Sequence, residues 1–309
     1  MRKLVVVTGA AGFLGRHAAR HLAASGFRVA GIGHGGFAGG TFRDWGMDIW
    51  RPADVRLETL EELSAACGEV AAIVHCAGSG TVGFSLENPR GDFRRTVGTT
   101  VDVLEFARRR APAVRVVYPS SAAVYGAAGA QPLAEDAPLD PISPYGLHKR
   151  MAEDACRCFA GRWGVPVAVV RFFSLYGEGL RKQLLWDACR KARDGAFRFF
   201  GSGEERRDWL HVNDAARLLH LAMERADPAC PVVNGGTGTG VSVREVLVRL
   251  GGQWRPALTP DFSGATKAGD PCHLVADARR ATAWGFAPGV DIDTGLAGYL
   301  RWFRSEFPE

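Results

Sequence analysis

The chain has 309 residues, of which 47% are hydrophobic and 23% charged, with a formal net charge of +5. That length suits one large α/β domain or two interleaved ones with a substantial shared core. The composition is that of a soluble globular protein, and the spread of Lys and Arg argues against a nucleic-acid surface.

The opening residues run straight into a glycine loop, with no apolar region and cleavage site of the kind a secretory signal needs. Leu4–Thr8 is the first predicted strand, and a helix starts near Gly12. Further strands at 28–32, 72–76, 114–120 and Val167–Phe172 alternate with helices starting near Leu57, Pro89 and Pro144. These strands are β-branched and almost wholly apolar, as expected when both faces of a parallel sheet are covered. Phe93, Val97, Val101 and Leu104 recur at helical spacing. Arg108-Arg109-Arg110 after them reads as a solvated helix end. Beyond residue 173 the rhythm loosens. A helix at 184–195, a short strand at 197–200, a strand at 209–212, a helix at 213–225 and a strand at 232–234 are predicted. A Pro/Gly-rich stretch over 254–271 and two terminal helices, 277–284 and 291–307, close the chain.

The pattern predicts a Rossmann-type, doubly wound parallel sheet with a smaller interleaved lobe. The dinucleotide-binding domain is expected over 1–173 plus about 208–240, and the substrate lobe over about 174–207 and 241–309. No stretch reaches the roughly 18 apolar residues of a membrane span. Seven scattered cysteines without a signal read as reduced thiols of a cytoplasmic protein. Cys156 and Cys158, two apart on a helix, point different ways, so no metal site is expected.

Gly9, Gly12 and Gly15 lie between an apolar strand and a helix. Glycines there allow a tight turn and close approach of a pyrophosphate, which the helix N-terminus then attracts. Ala11, Phe13 and Leu14 share this loop. The second strand ends Gly31-Ile32-Gly33-His34 without an acidic residue, so the repulsion that excludes a 2′-phosphate is absent. His34 and Arg43 are candidate partners for one, and the cofactor is read as NAD or NADP.

Ser120-Ser121 ends a strand, and Tyr145 and Lys149 follow at i, i+4 on one helix face, about 6 Å apart along its axis. A free phenol has a pKa of about 10 and is a poor base at neutral pH. An ammonium at about 4 Å and an effective dielectric of about 20 favours the phenolate by about 4 kcal/mol, or about three pKa units. Tyr145 then suits a general base, with Ser121 holding the substrate oxygen and Lys149 reaching the nicotinamide ribose. Alternation along the strand sends Ser120 and Ser121 to opposite faces.

These residues resemble the extended short-chain dehydrogenase/reductase family, of NAD-dependent epimerase/dehydratase type. The likeness spans Thr8–Gly15, His75-Cys76-Ala77-Gly78, 119–126, Tyr145–Lys149, 171–177 and Arg206-Arg207-Asp208-Trp209-Leu210-His211-Val212. The strand end Ser121-Ala122-Ala123-Val124-Tyr125-Gly126 resembles that of the UDP-hexose 4-epimerases. It lacks the Thr-Asp-Glu of the sugar dehydratases. The resemblance implies that Asp48 and Ile49 contact the adenine, that Cys76, Ala77, Gly78 and Ser120 line the cofactor, and that Phe172 lies near the nicotinamide. It implies that Arg207 holds a substrate diphosphate and Phe200 packs on its base, with Ser79, Ser121, Ser174, Gln183 and Lys267 as further substrate contacts. Ser174, Thr96 and Lys267 depart from the family's Asn, Asn and Arg. Leu180-Arg181-Lys182-Gln183 adds cations, which predicts a sugar other than plain UDP-glucose or UDP-galactose.

The expected activity is an NAD(P)-dependent nucleotide-sugar epimerase working by transient oxidation. An NADPH-dependent ketoreductase and a non-catalytic dinucleotide-binding protein are the alternatives. The expected partner is a nucleotide-diphosphate sugar, not nucleic acid or membrane. A homodimer through helices at 89–110 and 145–163 is expected.

Overall fold

The computed structural model describes residues 2–37, 40–110, 112–127, 132–265 and 273–307. In chain order the elements begin β1 (Leu4–Thr8), α1 (Phe13–Ala24), β2 (Arg28–Gly33), β3 (Ile49–Pro52), α2 (Leu57–Cys67), β4 (Val70–His75), α3 (Val82–Glu87), α4 (Pro89–Phe93), α5 (Thr99–Arg108) and β5 (Arg115–Ser121). There follow α6 (Pro144–Trp163), β6 (Val167–Phe172), β7 (Ser174–Tyr176), α7 (Gln183–Arg193), β8 (Arg198–Phe199), β9 (Arg206–His211), α8 (Val212–Arg225) and β10 (Val232–Gly235). The chain ends with β11 (Gly240–Ser242), α9 (Val243–Trp254), β12 (Asp261–Phe262), β13 (His273–Leu274), α10 (Arg279–Ala283) and α11 (Ile292–Glu306).

Two compact units form. The first comprises 1–126, 138–172 and 215–234; the second comprises 127–137, 173–214 and 235–309. Residues 127–137, 173, 208–214 and 235–240 thus fall in the second unit, where the sequence pattern expects them in the first.

The first unit is a seven-stranded sheet in the order β3-β2-β1-β4-β5-β6-β10, with β1 to β6 parallel. β1 is buried along its whole length, as its Val5-Val6-Val7 run requires. Helices pack on the sheet through Leu22, Leu60, Leu104, Phe106, Ala152 and Ala160. All the parallel strands end on one edge, which gathers the loops after β1, β2, β4 and β5 there.

The helical path after Pro89 is broken. One turn of π-helix over 94–98 separates α4 from α5 and carries an extra residue per turn. Thr96, Thr100, Val103 and Leu104 therefore face the core, whereas Phe93 and Val101 are 40% and 38% exposed. Arg108 and Arg109 at the end of α5 pair with Glu105, and Arg109 also with Glu61, as a solvated helix end does.

In the second unit β9 is the central strand, parallel to β7 and β13 and antiparallel to β11. Buried Asp208 of β9 accepts bonds from the backbone N–H of Thr237, Gly238 and Ala276, which ties three distant segments together. The sequence pattern leaves β3, α3, β7, β11, α9, β12 and β13 unmarked. Trp254, predicted to open a loop, is the last residue of α9. Among the described residues no helix is long and apolar enough to cross a membrane.

Candidate active site

The loop after β1 closes tightly. Gly12 N–H donates to Gly9 O at 2.8 Å, and Gly9 has φ of +62°. A Cβ on Gly9 would lie 2.7 Å from Ala77 N, and one on Gly15 2.3 Å from Gly9 O. Gly12 caps α1 without a side-chain bond, and no acid stands in the first turn. The first N–H groups of a 12-residue helix therefore keep their partial positive charge for an anion. Thr8 Oγ1 meets His75 Nδ1 at 2.7 Å and accepts from Ala77 N–H at 3.1 Å, fixing Cys76, Ala77 and Gly78 beside the loop. Burial lowers the His75 imidazole to about 3, with Lys149 acting in the same direction, so it is neutral. Burial pushes the Cys76 thiol up to about 12, which makes it a lining group rather than a nucleophile.

The two serines at the end of β5 diverge. Ser120 is buried and donates to Glu153 Oε1 at 2.6 Å. Glu153 also takes Arg171, through Nη2 at 2.7 Å, and Arg171 donates to the Tyr125 hydroxyl at 3.0 Å. Ser121 is half-buried, accepts from Ala123 N–H at 3.2 Å, and its hydroxyl acts on the Tyr145 phenol to lower it. Phe172 pairs with Ser121 across the β5–β6 ladder.

Tyr145 and Lys149 sit in the first two turns of α6, whose N-cap Ser143 accepts from Gly146 N–H. Lys149 Nζ donates to Pro119 O at 2.8 Å and stands 4.9 Å from the Tyr118 ring centre. Burial lowers its ammonium to about 8. The spacing predicts a phenol drawn down by Lys149; here burial raises Tyr145, the Ser121 hydroxyl acts against that, and Asp92 adds to it. The reason is placement: the ammonium is held at the Pro119 carbonyl.

Residues 5–235 match the NAD dependent epimerase/dehydratase family. The chain belongs to that family. The UDP-glucose 4-epimerase of Azospirillum brasilense is 31% identical to it over 332 residues, covering 97% of this chain and 92% of that one. MoeE5, solved in complex with UDP-glucuronic acid and NAD, is 31% identical with a TM-score of 0.85, covering 98% of this chain and 99% of its own. The UDP-glucose 4-epimerase of Thermotoga maritima, solved with UDP-glucose, is 25% identical with a TM-score of 0.87 and the same coverage.

A member of the epimerase/dehydratase family needs a dinucleotide cradle, and this chain has one. The spaces that Cβ atoms on Gly9 and Gly15 would fill are closed by backbone, and the uncapped start of α1 stands beside them. Other expected contacts are placed differently. Asp48 and Ile49 begin β3, at the opposite, amino-terminal edge of the sheet. Asp48 there accepts from Val29 N–H and Arg2, each at 3.0 Å, so neither residue reaches the cradle. The carboxyl end of β3 carries Asp54 instead, 2.6 Å from His34 Nε2 and 2.9 Å from Arg56. His34 chiefly, with Arg56, holds the Asp54 carboxyl below its ordinary range. Asp54 escapes sequence reasoning because the four-residue β3 is unmarked. Ser79 is buried with its hydroxyl donated to Asp92, which turns it away from a substrate role.

In the second unit Ser174, Gln183, Phe200 and Arg207 line one cavity of about 350 Å³, with Trp209 and Glu205. Phe200 is 63% exposed. Arg207 is half-buried on β9, two residues before Trp209, the partner of Ser174 on β7. Gln183 has φ of +67°, a left-handed conformation for a non-glycine residue. Lys267 lies outside the described residues.

Proposed function

We propose that this protein is an NAD-dependent epimerase that inverts one carbon of a nucleotide-diphosphate sugar. The observation that carries the reading is Tyr145, acted on by the Ser121 hydroxyl at a strand end and one helical turn from buried Lys149. Tyr145 takes the proton of the sugar hydroxyl and later returns it, while Ser121 holds the same oxygen. Lys149, one helical turn from Tyr145 and fixed at Pro119 O, is assigned to the nicotinamide ribose. The nicotinamide, when bound, supplies the hydride acceptor and donor. Because the hydride would return to the sugar along with the proton, no net cofactor is consumed. No acid stands in Ser121-Ala122-Ala123-Val124-Tyr125 to drive elimination, which favours inversion over dehydration.

We assign the adenosine end to Asp54 and Val55 in place of Asp48 and Ile49, and the cofactor to NAD rather than NADP. Asp54 already bonds His34 and Arg56, and its carboxylate repels a 2′-phosphate. MoeE5 binds NAD, which supports the choice. We assign the substrate diphosphate to Arg207, whose guanidinium suits paired bonds to phosphate oxygens, with Ser174 and Gln183 beside it. Phe93, Val101, Leu147 and Met151 on α4, α5 and α6 are each 38–45% exposed, and we assign this apolar face to a homodimer. Elution at monomer mass counts against that. The free thiols favour a cytoplasmic setting.

The experiment offers UDP-, dTDP-, GDP- and CDP-sugars to purified protein and follows both epimer and NAD(P)H. Epimer without net cofactor change is expected. Stoichiometric NADPH loss with a keto sugar overturns the epimerase reading in favour of a reductase.

A further inference from the structure

The first unit buries a second polar cluster that this reaction does not use. Asp92 of α4 is fully buried; one carboxylate oxygen accepts the Ser79 hydroxyl and the other meets His148 Nδ1. Ser79 and His148 are themselves only 9% and 8% exposed. His148 stands between Tyr145 and Lys149 on α6, so Asp92 ties the catalytic helix to the loop that follows β4. Ser79 and His148 both bond the carboxylate rather than each other, which excludes a nucleophilic triad.

A carboxylate withdrawn from water keeps its field over several ångströms, because little solvent screens it. Tyr118 and Ser121 face Tyr145 from β5, and Tyr118, His75, Cys76, Glu153 and Cys156 face Lys149 from β5, β4, the loop after it and α6; of the carboxylates among them only Asp92 faces both. Its charge raises the Tyr145 phenol and supports the Lys149 ammonium against burial.

We propose that Asp92, pinned by Ser79 and His148, is a positioning residue that holds a buried negative charge against the Tyr145–Lys149 pair and so sets the pH window in which that pair works. The working window rests on the epimerase reading; the ionisation of Tyr145 is measured without substrate. The test is the ultraviolet absorbance of tyrosinate in the full-length protein, with the Tyr145→Phe titration subtracted. Asp92→Asn is expected to lower the Tyr145 midpoint by about one pH unit. His148→Lys leaves Asp92 in place, sets a fixed cation on it, and is expected to lower the midpoint too. It serves should Asp92→Asn not fold. Ser79→Ala keeps the charge and is expected to leave the midpoint within a few tenths of a unit. In turnover, Asp92→Asn moves both limbs of the pH–rate profile to lower pH together. An unmoved midpoint in a folded Asp92→Asn or His148→Lys protein overturns the proposal, whatever happens to thermal stability. A shifted midpoint in a protein that epimerises no nucleotide sugar sinks the functional reading and leaves this one intact.

Discussion

Around Tyr145 the first unit keeps its charges buried and tied: Lys149 to Pro119 O, Arg171 and Ser120 to Glu153, Asp92 to Ser79 and His148. The cavity of the second unit is built the other way. Phe200 is exposed, Gln183 is held at positive φ, and the buried Trp209 Nε1 and Tyr176 hydroxyl have no hydrogen-bond partner among the described residues. A reaction centre gains from groups that need no rearrangement as charge develops. A recognition surface gains from donors and apolar area still free for a ligand. The contrast divides labour: mutations in the first unit should act on kcat, and those in the second on KM.

The largest expected effect tests the first half of that division. Tyr145→Phe removes the proton acceptor and leaves the glycine loop untouched. Turnover should fall about 10³-fold, within the range for loss of a general base, while the dinucleotide stays bound. Retained turnover in an epimer assay removes Tyr145 from the mechanism, and loss of the cofactor shows that the variant disturbs more than proton transfer.

Lys149 gives the next largest effect, read as stability against pH. Its ammonium falls from 10.5 to about 8 on folding because it is buried. The unfolded chain therefore binds more protons between those values, and stability from this group rises as pH climbs through that window. At about 1.4 kcal/mol per unit the span is at most about 3 kcal/mol. Lys149→Met should be the more stable protein at neutral pH, with the advantage gone above the upper value. A constant difference in denaturant midpoints across that range contradicts a buried cation.

In the second unit, Arg207→Ala should raise KM about 10- to 100-fold with kcat within a few-fold, the signature of lost uniform binding. An unchanged KM places the diphosphate elsewhere and breaks the division between the units.

The same division governs what the sequence made legible. Gly9-x-x-Gly12-x-x-Gly15, Ser121 and Tyr145-x-x-x-Lys149 act through short spacings on regular elements, so strand ends and helix faces follow from local pattern. Asp48 and Ile49 were misplaced because a four-residue strand with exposed ends gives too little alternation to mark β3, and the edge shifts with it. Asp92 and His148 meet across 56 residues, and no local signal links them. The cavity is harder still: its walls come from β7, α7, β9 and the turn at Phe200, brought together only by the packing of the second unit. The π-turn at 94–98 was hidden for a related reason, since one extra residue in a turn leaves the apolar spacing of Phe93 and Val97 looking ordinary.

The smallest expected effect concerns strain at the rim of that cavity. A non-glycine residue in the left-handed region costs about 1 kcal/mol, and glycine there does not. Gln183→Gly removes that cost but adds about 0.5 kcal/mol of unfolded-chain entropy, leaving a net gain of about 0.5 kcal/mol. Gln183→Ala keeps the strain and loses the same side chain, so the pair of variants separates conformation from contact. If the side chain binds substrate, both variants should raise KM equally, while only the glycine variant melts higher. Equal melting of the two proteins would mean that the φ of +67° stores no strain. The left-handed turn would then be a local preference of the Lys182-Gln183 junction rather than a conformation imposed by the cavity it lines.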